Sequence, residues 1–278
     1  TGLIGTALVE RLSGKDELFC ESRRAHDKTE GVDWVEHDLT DGSWEALNLP
    51  DFDVVYHLAG QTSAYAARND PLTDLAINVT GFVTLLEYLR KQRTAPFVVL
   101  AGTATQVGLT KELPIREDMP DRPVTFYDIS KLTAELYLKQ YVRDGWLNGC
   151  TLRLGNVFGG SRPGQQRDRG ILDKVFAAAK SGENVSVYGD GMNLRDYVYM
   201  DDVVSALTVA PRYASKTNGR SFNIGSGRGV RLKEAFEKVV AIAQPGTGDR
   251  PAIEHVEPPS DLSDIEKRNA VIDSSAFT

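Results

Sequence analysis

The chain has 278 residues, 41% hydrophobic and 26% charged, with 32 basic against 39 acidic side chains. That composition excludes a disordered or fibrous protein, and a net charge of −7 argues against a partner such as nucleic acid or an anionic membrane surface. Cys20 and Cys150 cannot build a disulfide framework, and four histidines offer no zinc spacing, so no metal is expected. No apolar run nears the ~18 residues that cross a bilayer. Residues 1–20 lack the basic and apolar regions of a signal peptide. A reduced, cytoplasmic α/β protein is expected.

Thr1-Gly2-Leu3-Ile4-Gly5 runs straight into an amphipathic helix predicted over 6–12. No strand-like segment precedes it, so the sequence is expected to begin inside a motif, with a short strand and an earlier glycine missing. Apolar runs predict strands over 18–20, 34–37, 54–58, 97–101, 150–154, 185–188 and 222–224. Most are unbroken, as in strands buried on both faces of a parallel sheet. Helices are predicted over 72–92, 130–144, 171–180, 203–212 and 232–243. In the first of these, Leu75, Val79, Phe82, Leu86 and Leu89 recur at helical spacing. The alternation predicts a doubly wound, Rossmann-type parallel sheet. Gly, Arg and Pro over 159–170 predict a long loop, and Pro and Gly gather again over 244–262. A dinucleotide-binding domain is expected over 1–157 with 194–225, and a smaller, irregular substrate lobe over 158–193 with 226–278.

Glycines at a helix start let backbone N–H groups and the helix dipole meet a pyrophosphate. Gly2, Leu3, Ile4 and Gly5 are therefore candidate cofactor contacts, although a ligand-free turn explains them equally well. Glu21 follows the second strand. A carboxylate there accepts ribose hydroxyls and repels a 2′-phosphate, favouring NAD. Arg23 and Arg24 follow and could hold that phosphate, which keeps NADP open. Asp38 could reach the adenine edge or simply cap a turn. Asn78 sits in an apolar helix, where a packing amide with satisfied partners is the alternative to cofactor binding.

Tyr127 and Lys131 form a YxxxK, with both residues on one helix face. An ammonium beside a phenol stabilises the phenolate and is expected to lower its pKa, giving a general base near neutral pH. Thr103 ends the strand expected from Phe97, where ligands meet an open α/β sheet.

Taken in order, these motifs resemble an extended short-chain dehydrogenase/reductase of the nucleotide-sugar epimerase/dehydratase kind. The matching segments are Thr1–Gly5, Glu21, Asp38-Leu39, His57-Leu58-Ala59-Gly60, Asn78-Val79-Thr80-Gly81, Thr103 and Tyr127/Lys131. They continue with Arg153 to Gly159, Tyr188 to Gly191, Arg195 to Asp202 and Phe222 to Gly225. The resemblance implies Thr103, Tyr127 and Lys131 as the catalytic set. It implies Gly2, Gly5, Glu21, Asp38, Leu39, Leu58, Ala59, Gly60 and Asn78 around NAD, with Tyr127 and Lys131 also touching the cofactor. It implies Asn156 and Thr103 on the substrate and Arg195 on its diphosphate. A second diphosphate arginine of the family has no clear match, and Lys267 or Arg268 could replace it. Asp201 and Asp202 read as the N-cap of the helix that follows. A homodimer through the 72–92 and 130–144 helices is implied.

Dehydratases of this kind carry an acid pair after the threonine, and decarboxylating relatives a glutamate. Ala104 and Thr105 stand there instead and carry no ionisable group. The expected activity is NAD-dependent epimerisation of a nucleotide sugar, at C4 in its simplest form. The alternatives are an NAD(P)H-dependent 4-keto-6-deoxysugar reductase and, outside catalysis, a dinucleotide-binding scaffold.

Overall fold

The computed structural model describes residues 2–24, 29–42, 44–160, 170–243, 251–259 and 264–278. Thr1, most of the loop expected over 159–170, and residues 244–250 and 260–262 of the Pro- and Gly-bearing stretch lie outside them.

Helix α1 (Leu3–Leu12) leads into β1 (Leu18–Ser22), β2 (Val32–Glu36) and β3 (Val54–His57). A helical run follows: α2 (Ala64–Asn69), α3 (Pro71–Leu75) and α4 (Gly81–Leu89). Then come β4 (Phe97–Thr103), α5 (Phe126–Arg143), β5 (Asn148–Leu154) and β6 (Asn156–Phe158). The chain continues through α6 (Ile171–Lys180), β7 (Val185–Tyr188), β8 (Leu194–Tyr199), α7 (Met200–Val209) and α8 (Ala214–Thr217). Strands β9 (Ser221–Ile224) and β10 (Gly229–Arg231), helix α9 (Leu232–Ala243) and strand β11 (Ile253–Val256) follow.

β3, β4, β5 and β9 form a parallel sheet in that order, and β1 pairs in parallel with β2. The unbroken apolar run in β4 has a simple cause. Phe97 and Val99 pack with Leu8 of α1 and Val203 and Leu207 of α7. Val98 and Leu100 pack with Phe82 and Leu86 of α4 and Leu138 of α5. Successive side chains point to opposite faces, and each face is covered by helices, so both must be apolar. This is the doubly wound sheet expected.

The segment from Pro71 to Leu89 is one continuous helical run of 19 residues, apolar enough by composition to cross a membrane. Its apolar stripe is used in the core instead, with Phe82, Leu86 and Leu89 fully buried. Asp70 caps its start by accepting from the Thr73 N–H, and Pro71 occupies the first turn, where no N–H is needed. Ala76–Thr80 is a π turn. The extra residue rotates everything before it by one position. Leu75, expected on the buried stripe, is 46% exposed, and Asp74 is buried in its place.

The remaining strands build smaller sheets. β8 pairs with β6 in parallel and with β10 antiparallel, and β7 pairs with β11. α6 and α9 cover β7, where Val175, Val185, Val187, Phe236 and Val240 cluster. β8 therefore belongs to a small sheet. Its buried Arg195 and Asp196 hide it from an apolar-pattern reading. Asp201 and Asp202 do not cap α7. The N-cap is Tyr199, and both aspartates lie exposed in the first turn, where they still face the positive end of the helix dipole.

Candidate active site

One continuous cleft of about 2520 Å³ runs along the length of β1 and β3 and opens at the C-terminal ends of the strands. Gly2–Gly5, Glu21, Asp38, Leu39 and Leu58–Gly60 line it, together with Thr103, Tyr127, Lys131, Asn156 and Arg195. Of the candidate site residues described, only Asn78 is absent from its wall.

The cofactor end is built from backbone. Gly2 is the N-cap of α1 and no side chain caps that terminus, so its first N–H groups are available to a phosphate. Asp38 both lines the cleft and caps the short turn Leu39–Asp41, accepting from the Thr40 N–H at 2.9 Å and the Thr40 hydroxyl at 2.8 Å. Those bonds hold its carboxyl below the usual range. Glu21 is the opposite case. Burial first, then the Asp38 charge, raises its pKa to about 7. Arg23 is exposed, and its charge acts on both carboxylates. Residues that accept hydroxyls, an uncapped helix start and a backbone wall at Leu58–Gly60 fit a dinucleotide.

Asn78 stands behind that wall. It is 2% exposed, donates to the Gln61 carbonyl and to Asp74 Oδ1, each at 3.0 Å, and accepts from the Gln61 N–H at 3.0 Å. It is the packing amide with satisfied partners. A Cβ at Gly60 would lie 2.8 Å from its Oδ1, so glycine is required there.

Thr125 caps α5 by accepting from the Asp128 N–H, which places Tyr127 in the first turn and Lys131 one turn deeper. Thr103, 5% exposed, ends β4. Contrary to the expected lowering, the Tyr127 phenol is raised to about 12 by burial and then by the Asp128 charge, against a weaker opposing hydrogen bond with Thr103. Lys131 is not among the groups that set this shift; burial lowers its own pKa to about 8, with Asp74 opposing, so it remains mainly an ammonium at neutral pH.

Thr105 carries no ionisable group, but it brings one near. Its hydroxyl lies 2.9 Å from the Thr103 hydroxyl and donates to Asp128 Oδ1, while Thr125 donates to Asp128 Oδ2 at 2.7 Å. Asp128 was not found from sequence; the capping pair Thr125-x-x-Asp128 was the available signal.

Arg195 is 6% exposed, and its guanidinium is largely spent on backbone. It donates to the carbonyls of Leu194, Glu266 and Arg268, and so pins the C-terminal segment to β8. Arg268, on that segment, lines the same cleft, and its Nε and Nη1 are buried with no hydrogen-bond partner among the described residues. Burial and the Arg195 charge lower it to about 10, so it remains a cation at neutral pH. Of the two candidates for the missing arginine, it is the one whose donors are unspent.

Helices on both faces of a parallel sheet, an uncapped glycine turn, and a threonine, tyrosine and lysine on one cleft define an extended short-chain dehydrogenase/reductase. The chain belongs to the NAD dependent epimerase/dehydratase family, whose model matches residues 1–225. A UDP-glucose 4-epimerase of Mycolicibacterium smegmatis is 30% identical over 262 residues, covering 90% of this chain and 82% of that protein. The structure of UDP-glucose 4-epimerase with UDP-glucose from Thermotoga maritima is similar with a TM-score of 0.83 at 26% identity, over 99% of this chain and 87% of that one. That of the Thermus thermophilus UDP-glucose 4-epimerase complex with NAD gives 0.81 at 27%, over 99% and 89%. The protein is thus an enzyme of an NAD-dependent family.

Proposed function

We propose that the protein epimerises a nucleoside-diphosphate hexose at C4, and that Thr103, Tyr127 and Lys131 carry the proton chemistry. The observation that carries this reading is their meeting on one cleft with two arginines, of which Arg268 has unspent buried donors. A guanidinium fits two phosphate oxygens, so Arg268 holds the diphosphate, and Arg195 orders the segment that carries it. Tyr127 takes the C4 hydroxyl proton and returns it after the ring has turned over. Thr103 orients that hydroxyl. Lys131 supplies positive charge near the phenolate and holds the nicotinamide ribose. Gly2–Gly5, Glu21 and Asp38 would hold NAD, which would supply a reversible hydride acceptor for C4 and, when oxidised, a positive charge opposing the raised phenol pKa. Asn156, whose side chain makes no hydrogen bond to the described residues, contacts the substrate from the start of β6. The lobe over 158–193 and 226–278 forms the nucleotide-sugar side.

A net epimerisation consumes no reductant. The reductase reading rested on Arg23 and Arg24; Arg23 here acts on Glu21 and Asp38, which favours NAD over a 2′-phosphate. A homodimer is part of the proposal, because Leu72 at 77% exposure and Ile129, Leu136 and Tyr137 leave apolar surface on α3 and α5. Free Cys20 and Cys150 fit a cytoplasmic site of action. The test is incubation with UDP-, GDP-, dTDP- and CDP-hexoses, with and without NADPH, and chromatographic separation of products. Interconversion of C4 epimers without net cofactor turnover is expected. Stoichiometric NAD(P)H consumption on a keto-sugar, or no epimerised product across the panel, would overturn it.

A further inference from the structure

A buried carboxylate stands behind the candidate catalytic lysine. Asp74 on α3 is 1% exposed and lies outside the cleft wall. Its Oδ1 accepts from Gln61 Nε2 at 2.8 Å and from Asn78 Nδ2 at 3.0 Å, and its Oδ2 accepts from the Ser130 hydroxyl at 2.5 Å. Gln61 follows the Gly60 wall, Asn78 lies in the π turn, and Ser130 precedes Lys131. One carboxylate therefore ties three segments that frame the lysine.

Three neutral donors recover only part of the hydration an anion loses on burial. A cation is needed, and Asp74 forms no close ion pair among the described residues. The cation on which its charge acts is Lys131, the chain neighbour of Ser130, itself 7% exposed, whose ammonium makes no hydrogen bond to the described residues. The lysine Nζ lies 4.0 Å from the point where a Gly60 Cβ would stand, against the glycine that Asn78 supports from behind. The other titratable neighbours are accounted for. His57 from β3 is held neutral, its pKa lowered to about 3 by burial and then by Lys131. Asp128, Asp74 and Arg268 all act on Tyr127, whereas the charge acting on Lys131 is that of Asp74.

We propose that Asp74 is a positioning residue, whose clamped carboxylate is the counter-charge that holds Lys131 as an ammonium against Gly60, one turn below Tyr127. The inference rests on the reading of Tyr127 and Lys131 as the catalytic pair. It extends that reading to a group that touches neither substrate nor cofactor.

The test reads the lysine directly. The full chain is labelled with [15N]lysine, Lys131 is assigned by loss of its resonance in Lys131→Met, and the amine is titrated by NMR. In Asp74→Asn the side chain keeps its size and loses its charge. Lys131 should then release its proton at a pH lower by about one unit or more. In Ser130→Ala the carboxylate keeps its charge and loses one donor, so the Lys131 titration should move up. The alkaline limb of the kcat profile should follow in both variants with KM little changed. A merely structural Asp74 would lower activity in both variants without moving the titration in opposite directions. An unmoved Lys131 titration in a folded Asp74→Asn overturns the proposal. If that variant does not fold, a titration that is unmoved or lowered in Ser130→Ala overturns it instead. Should the titrations move as stated while no nucleotide sugar is epimerised, the charge pairing stands and the proposed reaction falls.

Discussion

Replacing Arg268 with methionine should make the protein more stable and less able to bind its ligand. The Nε and Nη1 of Arg268 are buried without partners among the described residues, and each unsatisfied buried donor costs about 1–3 kcal/mol. Arg195, whose charge adds repulsion, donates to the backbone carbonyl of Arg268, which a substitution leaves in place. Methionine is a similarly long, unbranched side chain with no donor to leave unpaired. Taking both donors at the lower bound gives a gain of about 2 kcal/mol, which in a chain of this size is a rise in Tm of roughly 4–6 °C. Binding moves the other way. Removing the charged partner of a buried diphosphate costs about 2–5 kcal/mol, so UDP should bind at least 30-fold more weakly, each 1.4 kcal/mol being about tenfold. Thermal unfolding of the free protein gives the first quantity and calorimetric titration with UDP the second. A lower Tm together with unchanged UDP affinity would refute the assignment, because it would mean that the guanidinium is held by the fold rather than kept for an anion.

Tyr127→Phe removes one hydroxyl and should lower kcat by about 10²–10⁴-fold while leaving UDP affinity within twofold, as read by steady-state kinetics and titration. Glu21 has its pKa raised to about 7 in the folded protein, so it favours folding most below its unfolded value near 4.5, and that advantage is lost as pH rises to 7. NAD affinity should therefore increase from pH 6 to pH 8 as the carboxylate forms, and Glu21→Gln should flatten that dependence and raise the Tm at pH 8. Arg153 makes a two-point contact with Glu135, at 2.6 and 2.9 Å, in a fully buried setting. Burial pushes Glu135 up, but the Arg153 bonds and charge and then Lys139 outweigh it and hold it at about 2. Arg153→Met should cost about 3–5 kcal/mol and lower the Tm by roughly 6–12 °C at pH 7. In the unsubstituted protein this contribution is present above pH 4.5 and is lost as pH falls through 2, which acid titration of the Tm will show.

The central sheet was legible because β3 and β4 read as unbroken apolar runs covered by helices on both faces, while β5 and β9 keep enough apolar residues around buried Thr151, Arg153 and Asn223 to be recognised. The candidate catalytic set was legible because Tyr127 and Lys131 are one helical turn apart and Thr103 closes one of those runs. The substrate side was harder. β8 carries two adjacent buried charges, Arg195 and Asp196, before Tyr197-Val198-Tyr199, and β6 and β10 have three residues each, too short for a period to be seen. Arg195 was found and its partner was not: which of Lys267 and Arg268 faces the cleft depends on where a short turn places each side chain, which spacing does not encode.

Asp74 shows what periodicity hides. The stripe Leu75, Val79, Phe82, Leu86, Leu89 fixes the buried face of a regular helix, and on that face Asp74 should meet solvent. The π turn over Ala76–Thr80 adds one residue per turn and shifts the phase of everything before it. Leu75 turns outward and Asp74 inward, where Gln61, Asn78 and Ser130 meet it from segments up to 56 positions away. A buried acid on α3 is tolerable only if donors and a cation meet it, and α5, the helix that carries Tyr127, contributes one of the three donors, Ser130, together with Lys131. On the proposed reading the irregular turn serves the candidate site: a straight helix would carry Leu75 to the buried face and turn Asp74 away from Ser130, leaving Lys131 without that counter-charge.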